Sequence, residues 1–214
     1  MLILGATPLA RLGPVPRGVA IPEVRQQLFA VVEQVVVRDG PGKLSGRAIT
    51  GEAGVATGLL YSHFADFDDF LAAYAVDRSF LISSAAAALP ERAGTGSVVA
   101  NVCDALLSTP PVTLLALTRL IAARPQLPGL VRAVLGDRTA GLEAAENAAA
   151  TYLAEEQRLG RLTAAADPGA LALAVVGVLQ RVTLTGAPET EVRARVRATV
   201  TALLDPVTTA TSFG

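Results

Sequence analysis

His63 is the only histidine and Cys103 the only cysteine of the 214-residue chain. Metal sites, thiol–imidazole pairs and phosphate-binding loops need partners at short, fixed spacing. No such constellation surrounds either residue, so neither enzymatic chemistry nor a cofactor is expected. A single cysteine cannot close an intramolecular disulfide, which suits a reducing cytoplasm. Its neighbours Val102 and Asp104 do not favour a thiolate, and a buried, inert thiol is expected. What remains is hydrogen-bonding chemistry. It concentrates in GEAGVATGLLYSHFADFDDFLAAY, residues 51–74, where hydroxyls, the imidazole and glycines interrupt short apolar repeats.

The elements around that segment read as a short helix, a glycine turn and a second short helix, a helix-turn-helix. Ser45 is placed to cap the first, with Ala48, Ile49 and Ala53 turned inward. Gly54 supplies a backbone conformation that a side chain would resist, and Val55 packs between the helices. The second helix runs over about 57–63, with Leu60 and Phe64 inward. Asp66 caps a longer helix and Asp69 lies in its first turn. Phe67, Phe70, Leu71, Tyr74, Leu81 and Ile82 follow at helical spacing. Ahead of all this, Val24, Leu28, Val31, Val32, Val35 and Val36 form an amphipathic helix that starts after Pro22. Asp39-Gly40-Pro41-Gly42 stops it.

Further helices are expected over 98–107, 112–123, 130–135, 137–159, 168–185 and 189–204. No strand alternation is present, so the chain reads as all-α with about nine or ten helices. It divides into a flexible extension (1–21), a helix-turn-helix domain (22–88), a helical domain (89–206) and a flexible tail (207–214). Apolar residues make up 51% of the chain, aromatics only 4%, and tryptophan is absent. Mean hydropathy is +0.47. The interior must therefore be built mainly from Ala, Val and Leu. Net charge is −1, which identifies no partner. The longest apolar run, 170–179, falls short of the roughly 20 residues a bilayer requires, so no membrane association is expected. The first residues, MLILGATPLA, lack a preceding basic residue and read as a loose extension with Pro8, Pro14 and Pro16.

Residues 23–74 resemble the DNA-binding region of the TetR (tetracycline repressor) family. The family pattern is an amphipathic helix, a second helix ending in Ala-Gly-Val and a third ending in Tyr-x-His-Phe. A fourth helix opens shortly after. Here the motifs are Ala53-Gly54-Val55 and Tyr61-Ser62-His63-Phe64, and they cover about a quarter of the chain. The resemblance implies an N-terminal helix-turn-helix DNA-binding domain followed by a helical ligand-binding and dimerisation domain. The implied partners are a palindromic double-stranded DNA operator, a small-molecule effector and a second copy of the chain. Helix 57–63 would be the recognition helix, with Thr57 nearest base edges or phosphate. Tyr61 and His63 would face the sugar–phosphate backbone, and Ser45 and Arg47 would sit near phosphates. Lys43 and Gly58 complete the implied DNA-binding set.

The chain departs from the family pattern in four ways. Ala56 stands where Ser or Thr is usual, Leu59 where a polar residue is frequent, and Phe67 where lysine is common. Residues 22–87 also carry five cations against eight anions, a net −3. Since phosphate neutralisation drives non-specific affinity, DNA binding should be weak and local. Tyr61 reads either as a backbone contact or as a core anchor, and Arg47 either as a phosphate contact or as ordinary surface. Gly46 and Gly58 either permit close backbone approach to DNA or loosen the domain. Arg193, Arg195 and Arg197 do not share a helical face and read as surface.

The resemblance further implies that the last two helices pair with those of a second copy in a four-helix bundle. Leu171, Val175 and Val178 on one, and Val192, Val196 and Val200 on the other, form apolar stripes suited to that pairing or to intramolecular packing. The middle helices would enclose a pocket lined by Leu106, Leu115, Thr118 and Arg119, beside Leu114, Leu117 and Ile121. Such a lining suits a largely apolar effector. Together these features predict a DNA-binding repressor released by a small molecule. The alternative is a helical ligand-binding or scaffold protein of the same fold that has lost specific DNA binding.

Overall fold

The computed structural model describes residues 21–209, residue 137 excepted. The extension expected over 1–20 and the tail residues 210–214 lie outside the described residues. Among the described residues ten α-helices follow one another: α1 (Ile21–Arg38), α2 (Gly46–Glu52), α3 (Thr57–His63), α4 (Phe67–Ala87), α5 (Val98–Leu106), α6 (Pro111–Ala123), α7 (Leu127–Leu135), α8 (Leu142–Arg158), α9 (Pro168–Thr183) and α10 (Glu189–Leu204). Three 3-10 turns punctuate them at Pro41–Lys43, Pro90–Arg92 and Asp205–Val207. Among the described residues there is no strand beyond one isolated bridge between Leu162 and Thr208.

Side-chain caps set several helix starts, because each satisfies an amide that has no partner within the helix. Ser45 Oγ accepts from Ala48 N at 3.1 Å, and Asp66 Oδ1 accepts from Asp69 N at 2.8 Å. Asp167 Oδ1 accepts from Gly169 N and Ala170 N ahead of α9. Asp69 answers the Asp66 cap by accepting from Ala65 N at 3.0 Å.

Two boundaries differ from the sequence reading. α7 begins at Leu127 rather than 130, because Pro128 in a first turn removes only an amide that would lack a helical partner. Residues 138–141 do not open α8. Gly136 and Gly141 both take positive φ, +62° and +68°, and α8 starts at Leu142. Gly141 N is held on α4 by Ser79 O (3.0 Å) and Ser83 Oγ (2.8 Å). The first three residues of the expected tail are held in place. Thr163 N donates to Val207 O at 2.8 Å and Thr209 N to Arg161 O at 3.0 Å, so 207–209 are tied to the loop after α8.

The helix-turn-helix end has an aromatic core. Phe29 of α1 meets Phe64, Phe70 and Tyr74 at ring separations of 6.4, 5.7 and 5.6 Å. Beside it, buried Arg78 pairs with Glu33 and Asp77, each at 2.7 Å, and stands over the rings of Phe29 and Tyr74. α4 continues from this end into the helical body, where it packs on α7 and α8. The body itself is aliphatic. Ala145 and Ala149 of α8 are buried, and their small side chains let α9 approach closely. Cys103 is buried there, and burial pushes its thiol up.

Candidate DNA-binding site and effector cavity

α2 and α3 are joined by a turn whose one demanding residue is Gly54, at φ +68°. A side chain there would be strained. Val55 N closes the turn on Thr50 O at 2.9 Å. Thr50, buried on α2, links the helices: its hydroxyl donates to Gly46 O at 2.8 Å and shares a 3.0 Å hydrogen bond with Thr57 Oγ1. Leu60 of α3 is fully buried beneath them. The recognition-helix candidate is thus fixed at its first turn by a hydroxyl pair and at its middle by apolar packing.

Lys43, Ser45, Arg47, Thr57, Gly58, Tyr61 and His63 are all exposed. Tyr61 is 49% exposed, so it is not a core anchor. Its hydroxyl lies against the start of α2, where a Cβ added to Gly46 would come within 2.6 Å of Tyr61 Oη. Tyr61 therefore joins Ser45 and Arg47, the neighbours of Gly46, at one place. Thr57 is tied to the same helix through Thr50. His63, at the end of α3, has no recorded contact with the group. Gly58 has no heavy atom within 4 Å of where a Cβ would be, leaving an open stretch of backbone on α3. Gly46 thus accommodates Tyr61, a role that neither helix propensity nor periodicity signals.

Charge at this end is largely committed. Arg38 is paired with Asp39 (2.9 Å) and Glu52 (2.8 Å), and these hydrogen bonds hold both carboxyls below the usual carboxylate range. Arg78 is buried in its ion pairs, and Arg25 lies over the rings of Phe29 and Phe64 at 5.2 and 5.6 Å. Among the described residues, Lys43 and Arg47 are the cations of 22–87 with neither an ion pair nor a ring contact. Leu59 is half-buried against the core rather than turned to solvent. Phe67 is half-buried too, stacked on Phe70 at 5.8 Å and covered by the Arg124 guanidinium at 5.8 Å. Arg124 comes from the residue after α6 and reaches Asp68 at 3.3 Å.

The helical body holds a cavity of about 180 Å³ lined by Ser79, Ile82, Leu114, Leu117, Thr118, Ile121, Ala140, Gly141, Leu142 and Gln180. A cleft of about 280 Å³ adjoins it, sharing Ser79, Ile121 and Ala140 and bounded by α7 and the start of α8. Of the expected lining residues, Thr118 faces the cavity. Leu106 faces a neighbouring void of about 10 Å³, room for roughly one water. Leu115 is buried but lines neither space. Arg119 is a correction: its guanidinium Nη1 donates to Val37 O at 3.4 Å, at the end of α1. Leu114, Leu117, Thr118 and Ile121 turn one side of α6 to the cavity, and Arg119 lies on the side that meets α1.

No protein-family model and no curated protein matches the sequence. Solved structures match in fold. A TetR transcription regulator from Haloarcula marismortui, 16% identical, matches with a TM-score of 0.60 over 88% of this chain and 100% of that one. The fatty acid degradation regulator FadR from Bacillus halodurans, 17% identical, matches at 0.65 over 84% of this chain and 93% of its own. SmeT, the repressor of the Stenotrophomonas maltophilia multidrug efflux pump SmeDEF, is 16% identical and matches at 0.62 over 89% and 93%. This chain has the TetR-regulator fold.

Within this TetR fold the expected dimer stripes fall differently. Val175, Val192, Val196 and Val200 are buried inside the protomer, where α9 and α10 pack on each other. Leu171 and Val178 are only half-buried. The strongest apolar stripe of each helix is taken by its own core, because intramolecular packing buries it at no cost in association entropy. The outward face of α9 carries instead Leu173 (60% exposed), Gly177 and Leu184 (40%). That of α10 carries Ala194, Ala198 and Ala202. Arg193, Arg195 and Arg197 pair with Glu189, Glu191 and Asp104. Among the described residues no single helix is long and apolar enough to cross a membrane.

Proposed function

We propose that this protein is a TetR-family transcriptional regulator, a repressor that binds a palindromic operator as a homodimer and is released by a small molecule. The observation that carries the reading is the helix-turn-helix itself. Gly54 at φ +68° and the Thr50–Thr57 hydrogen bond hold α3 with Thr57, Gly58, Tyr61 and His63 exposed on a fold shared with regulators. Hydroxyls and an imidazole at this place hold phosphate oxygens and fix register, while the start of α3 meets base edges. The small, exposed residues of α9 and α10 suit close packing against a second copy.

Two helices connect the proposed sites. α4 runs from its Asp66 cap to Ser79 and Ile82 at the cavity. α6 presents Leu114, Leu117 and Thr118 to the cavity, and Arg119 and the adjoining Arg124 to α1 and α4. A ligand that favours one spacing of α4 and α6 would shift the two recognition helices away from successive major grooves, about 34 Å apart.

Selection of bound sequences from random duplex DNA tests the reading. An enriched palindrome is expected. Four unpaired cations per dimer, Lys43 and Arg47 from each protomer, give an expected slope of log K against log salt of about −3.6, and Arg47→Ala should reduce it by about 1.8. A second reading, a ligand-binding helical protein without DNA affinity, is favoured by the net −3 of residues 22–87 and by Asp66, Asp68 and Asp69 at the start of α4. Failure of folded, ligand-free protein to enrich any sequence would establish that reading instead.

A further inference from the structure

We infer that the ligand of the cavity is an amphiphile with one apolar body and one anionic end, the body in the inner space and the anion at the α7 side. This rests on the effector reading above and adds a ligand class to it. The inner space is walled by Ile82, Leu114, Leu117 and Leu142, and among the described residues Ser79, Thr118 and Gln180 are its polar side chains. That supply of hydrogen-bonding groups is too small for a sugar or nucleotide, whose buried hydroxyls would go unpaired. An apolar body loses nothing there.

The adjoining cleft differs in kind. Among the described residues its charged side chains are Arg132 of α7, Arg138 of the following loop and Glu143 of α8, two cations and one anion. Arg138 is held in place: its Nε donates to Leu135 O at 3.2 Å and its guanidinium stands over the Phe80 ring at 5.7 Å. Among the described residues, no acceptor other than Leu135 O takes an N–H of its fork. A guanidinium so fixed suits a carboxylate, sulfonate or phosphate. A quaternary ammonium would want aromatic faces, and no Phe or Tyr lines either space. The cleft and the inner space share Ser79, Ile121 and Ala140, so one molecule can reach from the apolar wall to the arginines.

The test is calorimetric titration of the full-length protein with medium-chain carboxylates, the matching primary alcohols and the matching trimethylammonium salts, below their micelle concentrations. Carboxylates should bind roughly tenfold or more tightly than alcohols, and the ammonium series weakest. Affinity should rise about fourfold per methylene until the inner space is full (about 0.8 kcal/mol per buried CH₂) and then level off. The double variant Arg132→Gln, Arg138→Gln should lose the headgroup preference and keep the alcohol affinity. Leu117→Trp, which fills the inner space and leaves both arginines, should remove the chain-length dependence. Equal affinity for the three headgroups, a preference for ammonium, a preference that survives the double variant, or no binding at all overturns the inference. DNA retardation run on the same preparation separates this from the regulator reading. DNA binding without headgroup preference sinks only the ligand class. Headgroup preference without DNA binding sinks only the regulator.

Discussion

The helix-turn-helix end and the helical body are made of different side chains, and they differ in how well they fill space. Of six phenylalanines and three tyrosines, all but Tyr152 and Phe213 lie between residues 29 and 80. At the helix-turn-helix end, Phe29, Phe64, Phe70 and Tyr74 form one ring cluster, with Phe64 and Phe70 at 5.1 Å. Large flat groups join α1, α4 and the residue after α3 to one another, and the groove at this end, between Val35, Arg38, Asp39, Lys43, Ala48 and Glu52, has no ring in its lining. The body is built from Ala, Val and Leu on α5 to α10, and there the cavity and its cleft open. Short aliphatic chains fill irregular gaps between helices less completely, and each gap costs contacts on one side. The lesson is a division of labour. On the proposed function, a reading head would present a fixed shape to a groove, while a responsive body would need space for a ligand.

Substitutions can break or sharpen this contrast. The largest effect is expected from Phe70→Ala, which removes the fully buried ring at the centre of the aromatic cluster. It should destabilise by about 3–5 kcal/mol in chemical denaturation. Leu117→Ala should cost less, about 2 kcal/mol, since its side chain already borders the inner space. Equal costs for the two would mean that the body is packed as tightly as the head. Gly46→Ala should weaken DNA binding, because the new methyl displaces the Tyr61 hydroxyl, and should lower the melting temperature slightly, because the same methyl stands 3.2 Å from Cδ2 of buried Leu60. Unchanged DNA affinity in a retardation assay would remove Tyr61 from the proposed interface.

The smallest effect concerns the Arg38 pairs. Asp39 and Glu52 have carboxyl pKa values lowered by Arg38 in the folded state. Their contribution is therefore present above the unfolded carboxylate values and is lost as pH falls through the lowered folded ones. Being exposed, it should appear as a shallow loss of stability in acid that Arg38→Gln removes. Thermal melts of both proteins across the acid range measure it.

Much of the head was legible because its signals are local. Ser45, Gly54 and Asp66 act through their own backbone neighbourhood, so their types and offsets specified a cap, a turn and a cap before any packing was known. Phe64 and Phe70 lie at positions where burial follows from period alone. The body was less legible. Thr118 and Arg119 are adjacent in the chain, yet one meets the cavity and the other reaches α1. Apolarity could not separate a cavity wall from a filled core, as Leu115 illustrates. Nor could it separate the inner from the outer side of α9 and α10, where the strongest stripe turned inward and small residues were left outside.

By itself, then, the sequence determined an all-helical chain, the turns and side-chain caps between α1 and α4, and the aromatic register of those helices. These follow from backbone propensity and helical period, which act over a few residues. Only the tertiary structure decided that Gly46 receives Tyr61, that Arg124 covers Phe67, which valines belong to the protomer core and where free volume remains. Those outcomes depend on which distant helices meet and how their side-chain volumes fit, and no local pattern carries that information.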